Sequence, residues 1–273
     1  MSEKFKCIFP RRINPLFVEP LPIVKCCQQI MLVQSDKDLD DALAEISAED
    51  VLGFDTETRP SFSRQSHHKV AILQLAGQNK AWVIRLSPLA QRLPDIYKVL
   101  ENPDIIKAGL AVQGDIRALS ARAPLKAAGF VDVSSFTTKM GIINTGMKNL
   151  ASVFFGERVS KTSQMSNWDA EELTQKQIDY AATDAWMSRR LYFEIKKVFD
   201  SGDYILEPEP KPLPEPFDFK KFSKKLYNSI KKLLNDSRRA VKKALLPKPP
   251  KRKRRRRGGR RRQYAETQQK QGR

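Results

Sequence analysis

The chain has 273 residues, 40% of them hydrophobic, and a formal net charge of +19. Residues 1–216 carry 27 Lys and Arg against 28 Asp and Glu, and residues 217–273 carry 23 against 3. A near-neutral body of one sizeable domain therefore ends in a very basic tail, whose expected partner is a polyanion: nucleic acid first, with an anionic membrane surface as the rival. Cys7, Cys26 and Cys27 offer neither a C-x-x-C pair nor zinc-site spacing. No run approaches the roughly 20 apolar residues of a membrane span, and the first residues lack the apolar run of a signal peptide. These features exclude a disulfide framework, and we expect a cytoplasmic protein with no membrane partner and no obligate protein partner.

In chain order, the proline-containing residues 1–28 read as an extended lead-in. Ile30 to Val33 reads as a strand, and Ser35 or Asp36 can cap a helix carrying Leu39, Ala42, Leu43 and Ile46 at helical spacing. Val51 to Glu57 is the next strand. Residues 58–69 form a polar, basic loop. Val70 to Ala76 and Ala81 to Leu86 flank the turn G-Q-N-K as a hairpin. Ser87-Pro88 is expected to open a helix through Leu100. Ile105 to Leu110 is a strand, followed by a helix around Asp115 to Arg122, and Phe130 to Val133 is expected to be the last strand. The remainder to about Phe199 reads as helices, with a polar loop at 156–169. Strands interleaved with helices argue an α/β sandwich around a mixed sheet. Residues 204–216, rich in Glu-Pro and Lys-Pro, read as a stiff linker. Residues 217–246 form a basic amphipathic helix with Phe219, Phe222, Leu226, Ile230 and Leu233 three or four apart. Residues 247–273 cannot bury a core and are expected to be disordered.

The strand V-L-G-F-D-T-E ends in two carboxylates. Residues two apart share a strand face, so Asp55 and Glu57 project together, and such a pair calls for a counter-charge; a divalent cation with hard oxygen ligands supplies one. Two further segments contain acids. Asp115, in G-D-I-R-A-L, falls in the first turn of a helix after a buried strand, where an acid also simply complements the macrodipole. In Y-A-A-T-D, Tyr180 and Asp184 are four apart and share one helix face.

D-x-E at a strand end, then G-D-x-x-x-L, then Y-x-x-x-D, resembles the DEDD family of 3′–5′ exonucleases, and Tyr180 in place of a histidine resembles its DEDDy branch. The flanks H-K-V-A-I-L-Q-L-A, I-K-A-G-L-A-V-Q-G-D and S-N-W…L-T…Q-I-D-Y-A-A-T-D-A are similar to the exonuclease domain of Werner-syndrome-type proteins and, more distantly, RNase D. The resemblance covers about residues 30–200, and residues 29–203 are taken as the exonuclease domain. It implies a ribonuclease H-like fold, a mixed central sheet flanked by helices, here with a basic C-terminal extension. It further implies a site for two Mg²⁺ or Mn²⁺ ions, with Asp55, Glu57 and Asp184 on one, Asp55 bridging to the second and Asp115 helping through water. The chemistry implied is two-metal hydrolysis releasing nucleoside 5′-monophosphates, with Tyr180 orienting the attacking water.

Arg59, Arg64 and Lys69 are candidate phosphate contacts and Phe62 a candidate stacking partner; a solvated loop is the bland alternative. His67 and His68 are not assigned to metal, and Trp168 is expected to pack a loop. The Werner-type flanks favour DNA over RNA. An RNase D-like exoribonuclease and a catalytically inert nucleic-acid-binding protein are the alternative functions. No match is seen to the helical domain that follows the nuclease in RNase D, and the basic tail is expected to act as a tether in its place.

Overall fold

The computed structural model describes residues 6–61, 68–143, 145–208 and 219–245. The chain divides into two units, residues 1–210 and 211–273.

In the first unit, β1 (Cys7–Phe9), α1 (Pro15–Val18) and β2 (Ile23–Val24) come first. Next come β3 (Gln29–Val33), α2 (Asp36–Ile46), β4 (Val51–Thr58), β5 (Val70–Ala76) and β6 (Lys80–Arg85). After these lie α3 (Leu93–Glu101), β7 (Ile106–Gly109), α4 (Gln113–Ser120), β8 (Phe130–Asp132), α5 (Val133–Met140) and α6 (Met147–Phe155). The unit ends with β9 (Arg158–Val159), α7 (Gln175–Ser201) and β10 (Tyr204–Leu206). The second unit contains α8 (Phe219–Leu245).

Six strands form one mixed sheet in the order β3-β6-β5-β4-β7-β8. The β4–β5 and β5–β6 pairs are antiparallel, and the rest are parallel. The period of two along β4 sorts its residues between two cores. Leu52 and Phe54 pack with Leu39, Ile46, Ile96 and Leu119 from α2, α3 and α4. The opposite face, carrying Ile72, Ala76 and Val83, packs on Leu150, Ala181, Ala185 and Ile195 from α6 and α7.

Local chemistry sets the helix ends. Ser35 and Asp38 form a reciprocal capping box at α2, and Thr174 and Gln177 form another at α7. α7 ends at Gly202, whose φ of 64° suits a residue without a Cβ. The helix expected from Pro88 begins later. A turn and a short 3₁₀ segment at Ala90–Arg92 precede α3, and Pro94 rather than Pro88 occupies the first helical turn. The buried Leu89 anchors that turn to the core first.

Residues 1–28, read as a lead-in, include paired structure. β1 runs parallel to β10 and β2 parallel to β9, and Phe9 and Val18 are buried. β9 and β10 also follow the strand expected to be last. These strands are two or three residues long, too short for a hydrophobic period to show. β10 also lies inside the segment read as linker.

Gly53 is where α7 meets the sheet. A Cβ there would sit 1.9 Å from the Ala185 carbonyl oxygen and 2.8 Å from the Arg189 nitrogen. Both contacts are backbone of a packed helix and cannot swing aside. Gly53→Ala should therefore cost about 1–3 kcal/mol in urea unfolding through overpacking. Gly114→Ala, in a helix where a Cβ meets nothing within 4 Å, should raise stability by about 0.5–1 kcal/mol. Equal effects of the two changes would contradict this account of the packing.

Candidate active site

Gly53, Asp55 and Glu57 share the β4 face that looks toward α7. On α7, Tyr180, Asp184 and Ser188 recur every four residues and share one helix face. Asp55, Glu57, Tyr180, Asp184 and Ser188 line one cleft of about 350 Å³, with Lys148 and Lys161 also on its walls. Asp115 approaches from the other layer, where Thr56 donates its hydroxyl to Asp115 Oδ1 at 2.5 Å. The residue between the two strand acids thus ties in the third acid. The Thr56 backbone N–H donates to Asp55 Oδ1 at 2.9 Å. The β4–β5 register shifts between Glu57 and Thr58, at the point where a bulge can re-aim side chains.

The loop that delivers Asp115 is strained. Ala111 sits at φ 55°, a left-handed conformation that costs an alanine about 1–2 kcal/mol. Asp132 holds it by accepting the Ala111 N–H at 3.2 Å while capping α5 through the Ser134 N–H at 2.9 Å.

The acids burden one another. Burial, then the charges of Asp184, Asp115 and Glu57, push Asp55 well above the ordinary carboxylate range. Burial, then Asp184 and Asp115, push Glu57 up to about 8. Burial raises Asp184, against the Tyr180 hydroxyl that donates to it and the charge of Lys161. Burial also raises Asp115, against its bond from Thr56. The Tyr180 hydroxyl is held protonated far above its ordinary range by burial and by the acids around it.

The five residues expected from the motifs are thus neighbours. Of the loop candidates, Arg59 and Lys69 are exposed and outside the cleft's lining among the described residues, and Phe62 and Arg64 lie outside the described residues. Trp168 is buried, with its ring centroid 6.0 Å from that of Tyr180, so it packs rather than presenting a face to a base. The motifs missed Thr56, Lys161, Ser188 and Gln74. Ser188 carries a readable signal, four residues past Asp184. Gln74 pairs directly across from Asp55. Lys161 lies in a polar loop without a pattern.

The donor set suits a divalent cation. It offers hard carboxylate oxygens whose mutual repulsion a cation would relieve. Behind it, the buried Gln74 amide and Ser188 hydroxyl have no hydrogen-bond partner among the described residues, as expected of groups that bind a hydrated ion's water. Among the described residues, no three His, Cys, Asp or Glu side chains are drawn into the coordination sphere of a single ion.

Fold and cleft define a class, an acid-lined site at the end of the central strand of a ribonuclease H-like α/β sandwich. The model of a family described as 3′–5′ exonuclease matches residues 30–200, and the chain belongs to that family. The mouse bifunctional 3′–5′ exonuclease/ATP-dependent helicase WRN is 28% identical over 168 residues, which are 60% of this chain and only 12% of that protein. The Aedes aegypti Nibbler EXO domain superposes with a TM-score of 0.60 at 19% identity, covering 66% of this chain and 94% of that one. Escherichia coli RNase D, an exoribonuclease involved in structured RNA processing, superposes with a TM-score of 0.56 at 18% identity, covering 64% and 46%. These two structures share the fold.

A carboxyl raised in the folded state keeps its proton longer there than in the unfolded chain. Glu57 therefore adds stability below its ordinary 4.5 that is lost as pH rises through about 8. In chelator, the urea midpoint should fall between pH 5 and pH 8.5. Glu57→Gln should flatten that slope, and Mg²⁺ or Mn²⁺ should restore the midpoint at the alkaline end. A midpoint that rises with pH over this window would refute the electrostatic description.

Proposed function

We propose that this protein is a divalent-metal-dependent 3′–5′ exonuclease that shortens DNA from its 3′ end and releases nucleoside 5′-monophosphates. The observation that carries the reading is the meeting of Asp55 and Glu57 on β4 with Tyr180 and Asp184 on α7 in one cleft, in a chain of the 3′–5′ exonuclease family. Asp55, Glu57 and Asp184 would hold one Mg²⁺ or Mn²⁺, and Asp55, with Asp115 through water, a second. When bound, the ions supply a water of lowered pKa and positive charge for the phosphoryl and 3′ oxygens that gain charge in hydrolysis.

The chain's own groups do the positioning. Tyr180 stays protonated at neutral pH, so its hydroxyl acts by orienting the attacking water and not by removing its proton. Its bond to Asp184 and the Trp168 ring beside it fix where that hydroxyl points. Lys161 on the cleft wall is a cation suited to a phosphate oxygen of the terminal nucleotide, whereas Lys148 is already paired with Glu19. The water oxygen bonds to phosphorus as the bond from phosphorus to the 3′ oxygen breaks, the water gives up its proton to solvent, the 3′ oxygen of the shortened strand takes one up, and the 5′-mononucleotide leaves.

DNA is proposed because the flanks of the motifs resemble the exonuclease domain of Werner-type proteins, and the mouse WRN protein is among the relatives. The exoribonuclease reading has its own support in the likeness to RNase D. Matched DNA and RNA oligonucleotides labelled at the 5′ end should both be tested with Mg²⁺ and Mn²⁺, and the DNA should shorten faster. Faster shortening of RNA would transfer the proposal to an exoribonuclease. Asp55→Asn or Glu57→Gln should lower kcat about a thousandfold with an unchanged far-UV spectrum, and Lys161→Met should act mainly on KM. Full-length label after prolonged incubation of the native chain with either metal would leave the inert binding protein standing instead.

A further inference from the structure

Helix α8 separates its residues by character. At 3.6 residues per turn, Leu226, Ile230, Leu233 and Leu234, with Tyr227 at the edge, fall within an arc about 140° wide that contains no charge. These four aliphatic side chains are 50%, 48%, 67% and 59% exposed. Among the described side chains, the rest of the circumference carries Lys224, Lys225, Lys231, Lys232 and Arg239 against Asp236. Lys231 borders the arc on one side; on the other Asp236 stands nearest, with Lys225 and Lys232 just beyond it, and all are exposed. At about 1.5 Å per residue, the 27-residue helix is about 40 Å long.

We propose that α8 lies in the surface of an anionic lipid bilayer. Nucleic acid would meet the cations alone, through phosphates, and would leave the aliphatic arc in water. A second copy of the helix would cover the arc but bring the lysine borders of both helices together, a repulsion that grows as the arcs close. An anionic bilayer surface meets both demands. The arc enters the boundary between headgroups and acyl chains, the lysine stems run along it, and their ammonium groups stay among the headgroup phosphates. From the sequence, an anionic membrane surface ranks below nucleic acid as the tail's partner and no membrane partner is expected; α8 reverses that order. No helix among the described residues is long and apolar enough to cross a membrane, and a helix lying in the interface has no need to be. The sequence continues with K-R-K-R-R-R-R-G-G-R-R-R at 251–262, which adds attraction of the same sign.

The test is flotation of the full chain with vesicles of phosphatidylcholine, with and without phosphatidylglycerol, beside the double variant Leu226→Glu with Ile230→Glu. The native chain should float with the anionic vesicles and not the neutral ones, and the variant should bind them at least about tenfold more weakly. Both proteins should share one thermal midpoint for the body and one affinity for a single-stranded oligonucleotide. Equal flotation of variant and native chain would reduce the effect to cation attraction and overturn the proposal. So would failure of the native chain to float with anionic vesicles. An oligonucleotide affinity that falls with the variant would assign the arc to nucleic acid, and a variant-sensitive dimer on sizing would assign it to a second copy.

Discussion

Helix α7 crosses strand β4 at the one position in that stretch of the strand without a side chain. The Ala185 carbonyl oxygen occupies the place a Gly53 methyl group would take. Arg189, one turn further along α7, donates to the Val51 carbonyl oxygen at 3.0 Å and pins the same crossing from the strand's beginning. Because Asp184 immediately precedes Ala185 and Asp55 lies two residues past Gly53, the close crossing carries the two carboxylates together. Buried Ala181, Ala182 and Ala185 keep the rest of the contact equally thin. The positions of Tyr180 and Ser188 follow from the helix repeat once that crossing is set.

What the crossing brings together, electrostatics pushes apart. The cluster is raised in pKa as a group, and the local compensations each come from an element fixed for another reason. Tyr180 donates from the turn of α7 that precedes Asp184. Thr56 donates across the sheet to Asp115, so its side chain serves the layer opposite the one its neighbours Asp55 and Glu57 face. Ala111 accepts an unfavourable backbone conformation so that α4 can start close behind β7, and Asp132 in the adjacent strand holds it there. Each device lowers the cost of gathering acids, and none removes it. That residual cost makes a divalent cation the natural completion of the site.

Much of this could be read from the residues because it depends on short periods. Asp55 and Glu57 announce a shared face through a period of two, and Tyr180 and Asp184 through a spacing of four. The hairpin of β5 and β6 and the capping box at Ser35 are also local. The features that could not be read depend on partners distant in the chain. Cys7–Phe9 looks like an unstructured lead-in until Tyr204–Leu206, nearly 200 residues later, pairs with it. Pro88 and Pro94 are equally good first-turn residues locally, and burial of Leu89 selects between them. Gln74 sits in an apolar run with no signal of its own; its meaning comes from standing opposite Asp55. Gly53 reads as an ordinary strand glycine, since what it accommodates is the backbone of a helix more than 100 residues away.

The distribution of charge adds a last constraint. A cleft walled by three acids repels a polyanion at short range, and of its two lysines Lys148 is already engaged by Glu19. Over the roughly 8–10 Å that fields reach at physiological ionic strength, attraction must come from charges placed elsewhere. The chain concentrates its positive charge after residue 216 and leaves the body balanced. Cations moved into the cleft would pair with Asp55 and Glu57 and compete with a divalent ion for the same oxygens. Keeping the net positive charge outside the body lets the acids stay available to metal. It also lets the tail's partner be selected by a different physical feature, the uncharged arc of α8.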